Sequence, residues 1–161
     1  MPNRSADLLI VRDARFPDDS AAVLAIWREF VASPTVSLDF QGNEAEFASL
    51  PGKYAPPDGR VLLAVSFEVV VGCVAMRRVD DTICEMKRLY VRPVARGRGA
   101  GRALVERLLK EARLAGYREM RLDVLAEFDR AQQLYRDLGF KDADPVSFNP
   151  LPGTRFLGLP L

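Results

Sequence analysis

Short apolar stretches, separated by polar or turn-forming residues, recur along the chain and are typical of β-strands. The run around Leu63 is almost continuous, which favours a central strand, whereas apolar and polar residues alternate around Leu122. Glu68 and the pair Asp80-Asp81 lie where hairpin turns are expected. The pattern predicts strands at residues 7–15, 60–67, 68–79, 82–91 and 118–126, with a loop and a last strand at 149–161.

Other segments carry apolar residues at helical spacing and predict α-helices. Pro17 and two following acids suit a helix start, Pro34 ends that helix, and Gly116 and Gly139 are suitable ends for two later helices. The pattern is weakest over residues 35–59, where only a short helix is predicted. The predicted helices cover residues 17–33, 43–50, 101–116 and 127–140.

The order of these elements predicts an α+β fold. It reads approximately β-α-α-β-β-β-α-β-α-β-β, which indicates an antiparallel meander followed by a strand-helix-strand crossover. We expect a mixed, largely antiparallel sheet of six to seven strands flanked by about four helices. A chain of 161 residues most simply forms one domain, covering residues 1–161.

Composition excludes several classes of chemistry. The chain has no histidine, which removes imidazole acid–base chemistry and most zinc and iron sites, so no metal is expected. Its two cysteines are too few for a disulfide framework and indicate a reducing compartment. The net charge of +1 gives no reason to expect nucleic-acid or membrane binding, and no apolar run is long enough for a signal peptide or a membrane span. We expect a cytoplasmic protein.

A glycine-rich, basic stretch at residues 91–101 joins a predicted strand to a predicted helix. Such a junction presents free backbone N–H groups and the positive end of a helix dipole to an anion, and glycine allows a close approach. Six basic residues and no acidic ones occur from residue 87 to 102: Lys87, Arg88, Arg92, Arg96, Arg98 and Arg102. The stretch therefore indicates a phosphate or pyrophosphate site. The alternative is a glycine-rich turn with solvated arginines.

Two nucleotide-binding motifs fail on spacing. The Walker A pattern is absent, and the dinucleotide pattern that begins at Gly97 and Gly99 has Arg102 where its third glycine belongs. The run from Arg96 to Gly101 instead resembles the R/Q-x-x-G-x-G/A signature of the GNAT superfamily of N-acetyltransferases. The later run LYRDLGF, ending at Phe140, resembles that family's Y-x-x-x-G-F motif. The resemblance covers residues 61–140 and implies a GNAT-like acyl-CoA N-acyltransferase fold.

The resemblance implies a coenzyme site. In the family, this loop and the following helix N-terminus bind the pyrophosphate of acetyl-CoA, a co-substrate, and the backbone of the preceding strand binds the pantetheine arm. Carried onto this sequence, the coenzyme-binding residues are Leu89, Tyr90, Val91, Arg96, Gly97, Arg98, Gly99, Ala100, Gly101 and Arg102. Many members have an asparagine where this chain has Phe128, so that contact to the pantetheine arm is missing or made otherwise.

Glu85 is the candidate general base for acetyl transfer. It lies within a predicted strand, eleven residues before Arg96, where family members with a glutamate base have it. A base is needed because the attacking amine must be neutral. The alternatives are a carboxylate paired with Lys87 or Arg88 on a solvated strand face, or a water chain in place of a dedicated base.

Tyr135 is the candidate acid, since it matches the family tyrosine that approaches the coenzyme sulfur and a tyrosine hydroxyl can protonate a thiolate. The alternative is a core aromatic on a helix stripe with Leu134 and Leu138. An acetyl-cysteine intermediate on Cys84 is disfavoured, because no histidine is present to activate the thiol.

The implied activity is transfer of an acetyl group from acetyl-CoA to a primary amine, by direct attack in a ternary complex. The acceptor, a small-molecule amine or a protein amine, should be shaped by residues 35–59 and by the turn at 148–156. Three acids in the first region could bind a cationic amine or simply be solvated: Asp39, Glu44 and Glu46. A non-catalytic acyl-CoA-binding module and a nucleic-acid-binding domain are the alternatives. Whether the chain forms a homodimer stays open.

Overall fold

The computed structural model describes residues 8–39 and 42–161. No helix in that part of the chain is long and apolar enough to cross a membrane. Within the same residues the chain forms seven strands and four α-helices in the predicted order. Their bounds are β1 Leu9–Asp13, α1 Ser20–Ala32, α2 Asn43–Ala48, β2 Arg60–Ser66, β3 Val69–Arg78, β4 Ile83–Val91, α3 Ala100–Leu114, β5 Glu119–Val124, α4 Asp129–Asp137, β6 Lys141–Asp142 and β7 Arg155–Pro160.

All seven strands join one mixed sheet in the order β1-β2-β3-β4-β5-β7-β6. Strands β1 to β4 form an antiparallel meander, and β4 pairs with β5 in parallel through the α3 crossover. Phe67 and Glu68 have positive φ angles and form the tight turn between β2 and β3, close to the predicted position. The predicted α+β class and largely antiparallel sheet are confirmed.

The sheet carries a hydrophobic core on each face. Helix α3 buries Leu104, Leu108 and Ala112 against one face, together with apolar residues of β2 to β5. Helix α1 buries Ile26 and Trp27 against the other face. Each fully buried aliphatic side chain contributes about 1.5–3 kcal/mol relative to exposure. These two layers fix the sheet and therefore the spacing of the strands that carry the site.

Strands β4 and β5 separate shortly after they meet. Their parallel pairing covers only the three positions from Ile83 to Glu85, opposite Glu119 to Arg121. Beyond Glu85, β4 continues to pair with β3, while β5 continues to pair with β7. The facing edges of the two strands therefore diverge and leave backbone groups of β4 unpaired on the β5 side.

A β-bulge in β4 lies within this diverging segment. Lys87 pairs with Ala75 and Tyr90 pairs with Cys73, so two β4 residues lie opposite one β3 residue. Arg88, within the bulge, has a φ of 64°, and its carbonyl accepts a hydrogen bond from the Cys73 thiol at 3.1 Å. Bulges redirect side chains, and this one directs Arg88 towards α1 and α2.

Candidate active site

The glycine-rich loop presents backbone donors at the start of α3. Gly97 and Gly99 have φ angles of 81° and 77°, a region that favours glycine. The first backbone hydrogen bond of the helix runs from the Ala103 N–H to the Gly99 carbonyl at 3.0 Å. The six backbone N–H groups of residues 97–102 have no acceptor in the part of the chain that the structure describes. Unbonded N–H groups at a helix N-terminus are the geometry that anion binding requires.

The positive charge at this loop is smaller than the sequence suggests. Arg92 binds the Glu29 carboxylate at 2.6 Å and the Val70 carbonyl at 2.7 Å, away from the loop. Lys87 and Arg88 point to the α1 side of the sheet, because β4 alternates its side chains and is bulged. The loop itself retains three arginines: Arg96, Arg98 and Arg102.

A cleft of about 600 Å³ runs from this loop into the gap between β4 and the start of α4. Eight of the ten predicted coenzyme-binding residues line it: Leu89, Tyr90, Val91, Arg96, Gly97, Gly99, Ala100 and Gly101. Arg98 and Arg102 do not line it; Arg98 is exposed, and Arg102 binds Glu106 at 2.8 Å. The cleft therefore combines backbone donors at one end with an unpaired strand edge along one wall.

The N-terminus of α4 forms the opposite wall of the cleft. Phe128 is the residue before the helix, and its side chain makes no capping hydrogen bond to the helix. Its ring lies 6.4 Å from that of Phe30, which in turn lies 6.3 Å from that of Tyr90. Phe30 therefore bridges the two walls from α1.

A second, smaller cavity of about 60 Å³ lies deeper in the gap between β4 and β5. It shares Phe30, Leu89, Phe128 and Ala131 with the cleft, so the two spaces adjoin. Its other lining residues are Leu38, Met86, Lys87, Arg88, Asp123, Val124, Leu125, Tyr135 and Asn149. The site thus consists of an open cleft on the loop side and a confined inner cavity on the α1 side, meeting where the strands separate.

Comparison with known proteins identifies the family. Residues 23–140 match the model of the acetyltransferase (GNAT) family. The chain belongs to this family, as the two motifs predicted. An uncharacterized N-acetyltransferase of Schizosaccharomyces pombe is 35% identical over 147 residues, or 90% of each chain.

Solved GNAT structures share the fold described above. A Salmonella typhimurium acetyltransferase with its cofactor acetyl-CoA has a TM-score of 0.67 and 25% identity, covering 94% of this chain and 93% of that one. The PaiA N-acetyltransferase of Thermoplasma acidophilum, in complex with coenzyme A, has a TM-score of 0.74 at 16% identity, covering 95% and 99%.

Tyr135, the predicted acid of this GNAT chain, lines the inner cavity. Its side chain is buried, with 5% exposure, and its ring lies 5.6 Å from that of Phe140. Burial, and then the negative charge of Asp123, raise the pKa of Tyr135 above its ordinary value. The hydroxyl is therefore protonated throughout the neutral range. It is both a core aromatic and a cavity-lining hydroxyl, so the two interpretations of the sequence are compatible.

Glu85, the predicted base, is fully buried and lines neither space. Its Oε1 accepts from Arg77 Nε at 2.8 Å, and its Oε2 accepts from the Ser147 hydroxyl at 2.7 Å. Lys87 Nζ lies 3.8 Å from Oε1, whereas Arg88 binds elsewhere. The carboxylate is thus paired mainly with Arg77 of the neighbouring strand, and it does not lie on a solvated face. Its role as base stays a prediction.

Sequence reasoning missed the residues that line the inner cavity from two strands. From the sequence alone, Lys87 is only one of the basic residues near the loop and a partner of Glu85, and Asp123 has no role. Asp123 follows the last β4–β5 pair on β5, and its Oδ2 accepts from Asn149 Nδ2 at 2.8 Å. A nearly buried acidic residue within the alternating pattern, between Leu122 and Val124, has no distinguishing signal in the sequence.

The acids predicted on α2 do not line the inner cavity. Glu46 binds Arg88 and Lys53, and Glu44 binds Arg28 at 3.1 Å. Arg88 also donates to Asn43 Oδ1 at 2.9 Å, and its Cζ lies 5.1 Å from the centre of the Trp27 ring. In the described residues, Arg88 Nη1 and Trp27 Nε1 are buried donors with no acceptor.

Both cysteines are buried in the sheet. Burial raises the pKa of Cys84 to about 12, so its thiolate is scarce at neutral pH. The described residues contain no cluster of acidic or cysteine side chains suited to hold a metal ion.

Proposed function

We propose that this GNAT protein transfers an acetyl group from acetyl-CoA to a primary amine, by direct attack in a ternary complex. The observation that carries the proposal is the run of six unbonded N–H groups at residues 97–102, opening onto a 600 Å³ cleft with an unpaired strand wall. A pyrophosphate suits the N–H groups and the helix dipole. An extended amide-bearing arm suits the free edge of β4.

Acetyl-CoA, when bound, would supply an activated acetyl thioester. The backbone N–H groups of Gly97 to Arg102 would hold its pyrophosphate, with Arg96 beside them. The Arg96 side chain is positioned for this because its Nε donates to the Val91 carbonyl at 2.9 Å. The edge of Leu89 to Val91 that faces β5, apart from the Val91 carbonyl bound by Arg96, would orient the arm and donate a hydrogen bond as negative charge develops on the thioester oxygen.

Proton movement would involve two side chains. The amine nitrogen forms a bond to the carbonyl carbon, the carbon–sulfur bond breaks, and Tyr135 gives its proton to the leaving thiolate. The ammonium form of the acceptor loses two protons overall, one to the thiol through Tyr135 and one to the base or solvent. We propose Glu85 as that base, which requires the carboxylate to exchange its hydrogen bond with Arg77 or Ser147 for one to the proton path.

The alternative is a non-catalytic acyl-CoA-binding module on the same fold. The observation in its favour is that both oxygens of Glu85 are already engaged by Arg77 and Ser147. The two functions differ in turnover, since only the enzyme releases free thiol when an amine is added.

Two measurements test the proposal. Thermal unfolding with acetyl-CoA, ATP and NADH added separately should show stabilisation by acetyl-CoA alone, about 2.7 kcal/mol at 100 times its Kd. A thiol-release assay with a panel of amines should then show turnover, with intersecting initial-rate patterns for a ternary complex. Stabilisation by ATP or NADH instead would refute the coenzyme assignment. Binding without turnover on any amine would favour the non-catalytic module.

A further inference from the structure

The inner cavity is in the right place for the acceptor. It adjoins the cleft at Leu89 and Ala131, where the arm would end, and Phe30 of α1 also lines it. An amine held there would reach the thioester from the side opposite the coenzyme. The chemical nature of the cavity lining therefore bears on which amines fit, provided the proposed acetyl transfer is correct.

Two opposite charges face this cavity as a loose ion pair with no hydrogen bond between them. Lys87 Nζ lies 4.0 Å from Asp123 Oδ1, beyond hydrogen-bond distance, and the two side chains are only 14% and 9% exposed. Among the described residues Lys87 makes no hydrogen bond, and Asp123 Oδ1 accepts none. Confined charges are stable when their hydrogen-bonding capacity is used. The pair has one free donor group and one free acceptor oxygen.

The turn at residues 149–154 holds the acidic member of this pair in place. Asn149 donates to Asp123 Oδ2, and its own Oδ1 accepts from the Leu151 N–H at 3.1 Å and from Thr154 Oγ1 at 3.3 Å. Asp123 therefore presents Oδ1 to the cavity in a fixed orientation, as a binding group requires.

The charge balance disfavours a polycationic acceptor. Lys87 and Arg88 contribute two positive charges to the lining, and Asp123 contributes the only negative one among the described lining residues. The Arg88 charge is offset by Glu46, which lies behind it on α2. Glu85 lies 3.8 Å from Lys87 but is itself paired with Arg77 at 2.8 Å, so Lys87 and Asp123 are the two charges left to meet a ligand. A polyamine or aminoglycoside would meet Lys87 with a like charge, whereas a ligand carrying one charge of each sign would complement both residues.

The cavity volume restricts the group that enters. A bound water needs about 10–15 Å³, so 60 Å³ holds about four to six groups of that size. An α-amino acid head group has five non-hydrogen atoms: the nitrogen, the α-carbon, the carboxyl carbon and two oxygens. Apolar side chains surround the charged pair, including Phe30, Leu38 and Met86.

We infer that the acceptor is an α-amino acid, whose carboxylate binds Lys87 and whose amino group binds Asp123. The amino and carboxylate charges of an α-amino acid lie close together, and so do the charges of Lys87 and Asp123. A protein lysine or a protein N-terminus has no carboxylate beside its amine, so it could bind Asp123 but would have no carboxylate for Lys87. Lys87 and Asp123 are thus specificity-determining residues on either side of the acceptor.

The test compares amines with and without the carboxylate. The twenty protein amino acids are screened by thiol release, and each substrate is paired with its decarboxylated amine, for example leucine with 3-methylbutylamine and phenylalanine with phenethylamine. Spermidine and a short lysine-containing peptide complete the panel. We expect kcat/KM for an amino acid to exceed that for its paired amine by about 10- to 100-fold, the discrimination of a charged hydrogen bond.

Substitution assigns that preference to a residue. Lys87→Met should lower the ratio of kcat/KM for the amino acid to kcat/KM for its paired amine by about 10- to 100-fold, because any effect through Glu85, 3.8 Å away, acts on both substrates. Lys110→Met, on the exposed face of α3, is the matched control and should change neither. Calorimetric titration of the same amino acid into protein saturated with coenzyme A should show a loss of affinity for Lys87→Met.

The outcomes separate the two proposals. Equal kcat/KM for an amino acid and its paired amine, or an unchanged ratio in Lys87→Met, would overturn the amino-acid assignment and leave acetyl transfer intact. Turnover of spermidine or the peptide with none of the amino acids would do the same. Coenzyme binding with no turnover on any member of the panel, and no amino acid detected by calorimetry, would overturn both.

Discussion

The cleft, where we propose that the coenzyme binds, and the inner cavity, where we propose that the acceptor binds, are formed by different parts of the residues that line them. The cleft presents backbone groups to a ligand, namely six N–H groups at residues 97–102 and the edge of β4 that does not pair with β5. The inner cavity offers side chains, with Lys87, Asp123 and Tyr135 supplied by two strands and a helix. Backbone recognition depends on local conformation, whereas side-chain recognition depends on which residues the fold brings together. The two sides should therefore respond differently to substitution.

Gly99→Glu should have the largest effect, because it alters the backbone cradle itself. A side chain there has open space but a positive φ and a charge that repels the pyrophosphate. Acetyl-CoA affinity should fall by about 1,000-fold, as several kcal/mol of like-charge repulsion imply. Gly116→Glu carries the same φ penalty at the end of α3, away from the site, and should retain affinity in calorimetry. Equal affinity in the two variants would refute the pyrophosphate assignment.

Arg88→Met should test how far the acceptor side depends on buried charge. The Arg88 side chain is 2% exposed and pairs with Glu46, so its removal leaves a largely buried carboxylate with only Lys53 as a charged partner. We expect a loss of about 3 kcal/mol in the free energy of unfolding, measured with urea. Adding Glu46→Gln to the variant should recover part of that loss. No recovery would mean that packing on Trp27 and Phe47, and not the ion pair, is what Arg88 contributes.

Tyr135→Phe should lower kcat by about 100-fold, the range for a positioned proton donor. Coenzyme affinity should change little, since Tyr135 does not line the cleft. The pKa of Tyr135 is raised, so the hydroxyl keeps its proton through the neutral range and the shape of the pH–rate profile should be unchanged. Tyr117→Phe removes a hydroxyl that donates to the Asp58 carbonyl at 2.7 Å and serves as the control. An unchanged kcat in Tyr135→Phe would mean that Tyr135 is only a packed core residue and not the acid.

Glu85→Gln should give the smallest kinetic effect, about 10-fold in kcat/KM at neutral pH, below the usual range for a base because the carboxylate is already paired. If Glu85 is the base, the acidic limb of the pH–rate profile should disappear, since only the carboxylate form accepts a proton. The variant keeps the shape of the side chain beside Arg77 and Ser147. A profile that retains its acidic limb would exclude Glu85 and favour a water chain or Asp123.

The backbone half of the site could be predicted from the sequence, and the side-chain half could not. A glycine at positions 97 and 99 by itself indicates a backbone with a positive φ angle, so a local motif was enough to predict the loop. Eight of the ten predicted coenzyme-binding residues line the cleft. Tyr135 was found through the motif that ends at Phe140. Lys87 and Asp123 are 36 positions apart in the sequence. Their approach depends on the parallel pairing of β4 with β5 and on where that pairing ends, which no local pattern encodes.

The short seam between β4 and β5 has a mechanical consequence. Three residue pairs hold the meander of β1 to β4 against the β5–β7 half of the sheet. The sheet should therefore deform most easily between β4 and β5, and a molecule bound between these two strands would reduce that motion. Amide hydrogens of Leu89 to Val91 should then exchange with solvent more slowly when the molecule is bound, while those of β2 and β3 keep their exchange rates.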